Sequence, residues 1–339
     1  MAATNDPELT RRKQRQEDFL RGTSKINFDD HIDHCVLSGK TAIVTGGASG
    51  IGHGIAQALS SNGCKVAVLD LSGPLEAGTD ESNIDSPKLF ECDVSSWESL
   101  LAAFQEVLIW SGNSLDIVVL SAGVRSHNIK DLILERPAGS TSTPVKPPSS
   151  VFDVNLLGTY YSAYLALWYF TNLEAKRDEA EFNWKPQLLF IGSLASYVEQ
   201  PLSADYCASK HGVRGLWKSV RSHSALFGDC QTNLLAPTFI DNRQGSTKSR
   251  GDGALISLTN DVKLGEVSDV VAGALRCLCD RNIEGRALCC VKGEQSSPGS
   301  NNFDLCDNLI DFNAGKSVLD SFRNGVVGRL GTQNTTGPQ

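Results

Sequence analysis

The chain is poor in positive charge. Its 31 Lys and Arg against 39 Asp and Glu leave a net charge of −8, so no broad basic surface for a nucleic-acid backbone is implied. Long apolar runs are also missing. The most apolar long segment, Tyr160 to Phe170, falls well short of the roughly 18 residues a membrane span needs. Met1 to Asp30 is polar overall and has no apolar core of the kind that directs secretion. The ten cysteines include no Cys-x-x-Cys, and the close pairs are Cys277/Cys279 and Cys289/Cys290. That spacing favours neither a zinc site nor a disulfide framework, and reduced thiols in a cytoplasmic protein are expected. His31, His34 and Cys35 stand close together, but no second cluster completes four ligands. No metal is expected.

What is present fits one large α/β domain with extensions. The 339 residues are 40% hydrophobic and 21% charged, enough to fill a core. Residues 1–37 read as a polar N-terminal extension, 38–292 as the folded domain and 293–339 as a C-terminal extension with a disordered end. The basic patch Arg11 to Arg15 is followed by Glu17 and Asp18, which suits a solvated helix or arm. Residues 72–87 and 124–150 are rich in Gly, Pro and polar residues and read as irregular insertions. Residues 243–262 suit a mobile lid.

From Lys40 the pattern is strand, glycine turn, helix. Thr41 to Thr45 is a short apolar strand, and Gly46, Ser49, Gly50, Ile51 and Gly52 follow as Gly-x-x-x-Gly-Ile-Gly. Glycines there let the backbone approach a pyrophosphate, and the helix N-terminus offers it free N–H groups. A second strand ends in Asp70, 18 residues past Gly52. A carboxylate at that place accepts from ribose hydroxyls and repels a 2′-phosphate. Neither Ser49 nor Leu71 supplies a cation, so NAD is expected over NADP. Further strands end at Cys92, before Asp93-Val94, and at Leu120, before Ser121-Ala122-Gly123.

The chemistry centres on Tyr206-Cys207-Ala208-Ser209-Lys210. A Tyr and a Lys four apart share one helix face. An ammonium beside a phenol is expected to lower its pKa toward a useful general base. Ser193 lies thirteen residues upstream, after the apolar run Leu188 to Ile191; that spacing selects it over Ser196.

These three pieces, in this order, resemble the short-chain dehydrogenase/reductase family over about residues 38–292. Cys92-Asp93-Val94, Ser193-Leu194-Ala195 and Tyr206 to Gly212 further resemble its NAD-dependent 15-hydroxyprostaglandin dehydrogenase-like members. The resemblance implies one doubly wound Rossmann domain, α/β, with a seven-stranded parallel sheet of order 3-2-1-4-5-6-7 flanked by helices. It implies Ser193, Tyr206, Lys210 and Asn155 as the catalytic set. Tyr206 would move the proton, Lys210 would bind the nicotinamide ribose, and Asn155 would support a water relay. Asp93, Val94, Ala122, Gly123, Pro237 and Ile240 join Tyr206, Lys210, the glycine turn and Asp70 around the cofactor. Leu120-Ser121 replaces two asparagines of the family pattern, which is expected to weaken support for the central sheet. The implied function is interconversion of a secondary alcohol and a ketone. Leu194, Val198, Leu202 and Phe239 would face a small-molecule substrate that is apolar or aromatic, as in lipid or specialised metabolism. A homodimer or homotetramer through the helices beginning near 150 and 206 is implied, with no nucleic-acid or membrane partner. The alternatives are an NADPH-dependent carbonyl reductase and a catalytically silent NAD-binding scaffold, in which Ser193 and Tyr206 would not converge.

Overall fold

The computed structural model describes residues 26, 28, 30–71, 86–134, 143–173, 184–241, 264–294 and 296–307. The basic patch Arg11 to Arg15, the lid segment 243–262, the tail 331–339 and most of the 72–87 insertion lie outside the described residues. The chain divides into two compact units, Ile26–Asp304 and a second made of Met1–Lys25 with Leu305–Gln339. Nearly all of the second lies outside the described residues; the sheet and its helices belong to the first.

Seven short apolar runs form parallel strands. They are β1 (Thr41–Thr45), β2 (Lys65–Asp70), β3 (Lys88–Glu91), β4 (Ile117–Leu120), β5 (Gln187–Ile191), β6 (Gln231–Pro237) and, further on, β9 (Ala287–Cys290). β1, β4, β5, β6 and β9 are buried along their whole length, as a sheet covered on both faces requires. The order is β3-β2-β1-β4-β5-β6-β9, the expected 3-2-1-4-5-6-7. An eighth strand, β10 (Phe303–Asp304), adds antiparallel to β9 and lies outside the expected pattern. So does the two-stranded ribbon of β7 (Ile240–Asp241) with β8 (Gly265–Glu266).

Helices α1 (Gly50–Ser61) and α6 (Val267–Cys279) cover one face. Ile55, Ala56 and Leu59 of the first and Val270, Ala274, Cys277 and Leu278 of the second join one core with Val44, Val68, Val119, Leu189 and Leu235. Helix α4 runs as three consecutive pieces, Ser150–Phe152, a π-helical turn Asp153–Gly158, and Thr159–Asn172. It packs with α2 (Trp97–Ser111) and α5 (Ala204–Arg221) on the opposite face, to which alternate strand residues point. Within the 124–150 insertion lies a short helix, α3 (Ile129–Leu134), with no buried residue. All ten cysteines are free; Cys277 in α6 and Cys289 in β9 are buried and behave as small apolar side chains. Among the described residues, no helix is long and apolar enough to cross a membrane.

Candidate active site

The order in which strands are added reverses between β1 and β4, and the crevice at the carboxyl ends of these parallel strands is where such folds bind ligands. The glycine turn opens it. Gly46 and Gly50 have φ of +65° and +56°, a region side chains avoid. A Cβ on Gly46 would stand 2.5 Å from Ala122 Cα, and one on Gly52 would stand 2.2 Å from the Gly46 carbonyl oxygen. The glycine turn, the start of α1 and the loop after β4 are therefore packed backbone to backbone. Ser49 heads α1 without a side-chain cap bond, and Ile51 is partly buried in the core behind it.

Asp70 lies at the end of β2, but its carboxylate is engaged. One oxygen accepts from Ala48 N–H at 2.9 Å and the other from Leu71 N–H at 2.8 Å. It braces the glycine turn. Asp93 likewise serves its own loop, accepting from Ser95 N–H at 2.9 Å and Ser95 Oγ at 2.6 Å. Val94 is buried beside Gly158, where a Cβ would stand 2.9 Å from its methyl. Pro237 closes β6 in the interior, and Ile240 begins the β7 ribbon.

The loop after β4 crosses the crevice. Thr45 Oγ1 accepts from Ser121 N–H at 3.1 Å and Ala122 N–H at 3.2 Å. Support expected from the missing asparagines thus comes from β1 instead. Asn155 is fully buried in the π-helical turn of α4. Its Oδ1 accepts from Val124 N–H at 2.7 Å, and its Nδ2 donates to the Val124 carbonyl at 3.0 Å and to Ser209 Oγ at 3.3 Å. Ser209 donates to the Tyr206 carbonyl at 2.8 Å. Asn155 is therefore tied to the backbone of α5 through Ser209, a residue whose part in the Tyr-to-Lys motif has no signal in spacing.

Ser193, Tyr206 and Lys210 come together. Ser193 follows β5 and caps the short turn Leu194–Ser196, its Oγ accepting from Ala195 N–H at 3.1 Å. Ser196 is buried, with its Oγ accepting from Ser193 N–H at 3.3 Å; it holds Ser193 in place. The Ser193 hydroxyl lies near the Tyr206 phenol and favours its charged form. Lys210 is buried, donates to the Ile191 carbonyl at 3.0 Å and lies 5.7 Å from the Tyr206 ring centre. Burial lowers its pKa to about 8.

The phenol departs from expectation. Burial raises its pKa overall, although the nearby Ser193 hydroxyl and the Arg125 charge pull it down. The expected depression by Lys210 is absent because that side chain turns to the Ile191 carbonyl and itself disfavours its charge. Arg125 had no sequence signal, being brought near only by the fold. The arrangement can exchange a proton with an oxygen at Tyr206 and hydrogen-bond that oxygen through Ser193. Among the described residues no three His, Cys, Asp or Glu side chains are grouped to hold a metal.

The fold and this site define an α/β oxidoreductase of the nucleotide-binding kind. The sequence model of the family described as short chain dehydrogenase matches residues 40–252. The chain belongs to the short-chain dehydrogenase/reductase family. It is 86% identical over 286 residues to the NADP-dependent dehydrogenase clz5 of Cochliobolus lunatus, covering 84% of this chain and 100% of the relative. It is 33% identical to the 5′-hydroxyaverantin dehydrogenase of Dothistroma septosporum, over 86% of this chain and 94% of the relative. The 15-hydroxyprostaglandin dehydrogenase [NAD(+)] of Bos taurus is 32% identical over 60% of this chain and 70% of its own.

The preference for NAD over NADP is overturned by the first of these relatives, which is named NADP-dependent. The physical reason lies at Asp70. Its two oxygens each accept a backbone N–H, from Ala48 and from Leu71, so a carboxylate at this strand end has a structural task in the glycine turn and its position alone does not select the cofactor.

Proposed function

We propose that the chain is an NADP(H)-linked dehydrogenase that interconverts a secondary alcohol and a ketone on a bulky apolar or aromatic small molecule. The observation that carries this is the convergence of three side chains: the Ser193 hydroxyl lies close enough to the Tyr206 phenol to pull its pKa down, and Lys210 Nζ stands 5.7 Å from the ring centre. A silent scaffold would not need that convergence. The tight glycine turn at Gly46 and Gly52 fits a dinucleotide pyrophosphate against the start of α1. No Lys or Arg occurs between Asp70 and Lys88, so the 2′-phosphate would rest on neutral donors such as Ser49 and backbone N–H groups. The cofactor would supply or accept a hydride at its nicotinamide.

The protein's own part is proton transfer and orientation. Tyr206 takes the hydroxyl proton in oxidation and returns it to the carbonyl oxygen in reduction. Ser193 donates to that oxygen and fixes its distance from the phenol. Lys210, held behind the phenol ring by the Ile191 carbonyl, would bind the nicotinamide ribose. Asn155 holds the β4 loop and α5 in register. The cofactor ratio, not the residues, sets the direction.

The substrate class rests on the rim. Val124, Val198 and Leu202 are exposed apolar side chains on the loops that carry the site, with Leu194 and Phe239 partly buried nearby. The relatives named for 5′-hydroxyaverantin are in keeping with a large substrate. The working unit is proposed to be a homodimer or homotetramer in the cytoplasm.

The test is a spectrophotometric assay of 5′-hydroxyaverantin and a panel of aromatic secondary alcohols and ketones with NADP(H) and NAD(H). Turnover with NADP(H), reduced by about 10²–10⁴-fold in Tyr206→Phe, is the expected result. Turnover that survives Tyr206→Phe unchanged, or no turnover with either cofactor, sinks the reading.

A further inference from the structure

The loop leaving β4 is pinned at three points. Thr45 and Asn155 hold its first half. The third point is Asp205, the residue before Tyr206 and the acidic residue of the first turn of α5. Its carboxylate takes four donors. These are Ser126 Oγ, His127 N–H at 3.0 Å, His127 Nδ1 at 3.1 Å and Tyr206 N–H at 2.7 Å. The Asp205 side chain is only 14% exposed and that of His127 34%. Charge-assisted hydrogen bonds in such a place are strong and geometrically strict. A helix N-terminus also favours the anion. Burial works to raise this carboxyl's pKa, but the hydrogen bonds from Ser126, His127 and Tyr206 outweigh it and hold it low. With Nδ1–H given to Asp205, a neutral His127 ring keeps Nε2 as an acceptor.

The consequence concerns Tyr206. Val124 to His127 passes beside the crevice, and a Cβ on the neighbouring Gly123 would stand 3.8 Å from Lys210 Nζ. Asp205 bonds both to this loop and to the backbone N–H of Tyr206. We propose that Asp205 is a positioning residue that locks the loop Val124 to His127 onto Tyr206, and that His127 acts through it. The loop and the phenol then move as one body. A misplacement of about 1 Å between reacting groups can cost on the order of 10²-fold in rate. The proposal rests on the reading of Tyr206 as the proton-transfer group.

A double-mutant cycle tests it, using Asp205→Asn, His127→Phe and the pair. NADPH affinity is read by fluorescence, and kcat and KM by NADPH-dependent reduction of 9,10-phenanthrenequinone. Asp205→Asn is expected to lower kcat by about 10–100-fold, with the NADPH Kd within about twofold. The double variant is expected to be no slower than Asp205→Asn alone, because the residues act as one unit. Independent effects that multiply, an NADPH Kd that rises in step with the fall in kcat, or an unchanged kcat each overturn the proposal. A wild-type protein that binds NADPH but leaves the quinone untouched counts against the proposed function instead. Nuclear magnetic resonance then decides the positioning claim without turnover. The ¹⁵N spectrum must show His127 as the Nδ1–H tautomer in the wild type and not in Asp205→Asn. The Tyr206 Cζ resonance, assigned with Tyr206→Phe, must move in His127→Phe. Failure of either overturns it.

Discussion

At the scale of single residues, burial decides more of the chemistry than pairing does. Lys210 has its pKa lowered to about 8 because its ammonium is desolvated, and this has a measurable sign. The unfolded lysine titrates near 10.5. Between about pH 8 and 10.5 the unfolded state binds more protons than the folded state, so stability rises with pH across that window. Below about pH 8 the full cost of the buried charge is present. Relative to Lys210→Met, the cofactor-free wild type is expected to gain stability from pH 8 to 10 in urea denaturation, by up to about 1.4 kcal/mol per pH unit. The same variant should lose turnover. Parallel stability curves for the two proteins would mean that Lys210 does not titrate in this window. Asp70 teaches the complementary lesson. Its position in sequence suited a ribose ligand, but which donors reach a carboxylate is settled by backbone geometry, here at Ala48 and Leu71.

At the scale of elements, the strands were legible because each is a short apolar run ending where glycine or a polar turn begins, and burial on both faces enforces that pattern. The strand β10 was not legible. It has two residues, is held to β9 by antiparallel pairing, and carries Asp304, which pairs with Arg286. Neither contact leaves a local signature. The proposed catalytic set could be picked out because Ser193, Tyr206 and Lys210 keep fixed spacings on one strand end and one helix. Asp205 and its partners were not, because Ser126 and His127 meet it across 79 and 78 residues. The glycine turn and α5 offer a matched pair of tests. Gly52→Ala places its Cβ 2.2 Å from the Gly46 carbonyl oxygen, so the backbone must move. It should cost about 1–3 kcal/mol and weaken NADPH binding at least about tenfold, by thermal melts and fluorescence titration. Gly215 in α5 is exposed, and a Cβ there meets nothing within 4 Å. Gly215→Ala should stabilise by about 0.5–1 kcal/mol and leave turnover intact. Equal effects at the two positions would remove the argument that the turn is packed backbone to backbone.

At the scale of the whole molecule, the outer faces of α4 and α5 carry apolar side chains that nothing in the chain's described residues covers fully. Phe152, Leu157, Tyr160, Tyr164 and Trp168 of α4 are each more than a third exposed. A hollow of about 400 Å³ lies there, lined by Phe152, Asp153, Leu156, Leu157, Tyr160 and Leu216. Trp97 meets Tyr161 and Tyr164 edge to face, with ring centres 5.6 and 5.8 Å apart, so the aromatic surface is held rather than loose. A face of this kind on a domain of this size suits a second copy of the chain. Its position also bears on catalysis. The π-helical turn that holds Asn155 lies between Phe152 and Tyr160, and α5, which carries Tyr206 and Lys210, supplies Leu216 to the same hollow. Pairing across this face would clamp both helices from outside. The wild type is accordingly expected to run as a dimer or tetramer at micromolar concentration in light scattering. Tyr160→Glu with Trp168→Glu should weaken association by on the order of 10²-fold or more, since two interface aromatics commonly contribute about 2 kcal/mol each. If the clamp matters, the separated chain keeps its fold by circular dichroism but loses kcat more than NADPH affinity, because Asn155 and Tyr206 lose a common brace while the glycine turn does not. A monomeric wild type, or a dissociated variant with full kcat, would separate assembly from catalysis in this protein.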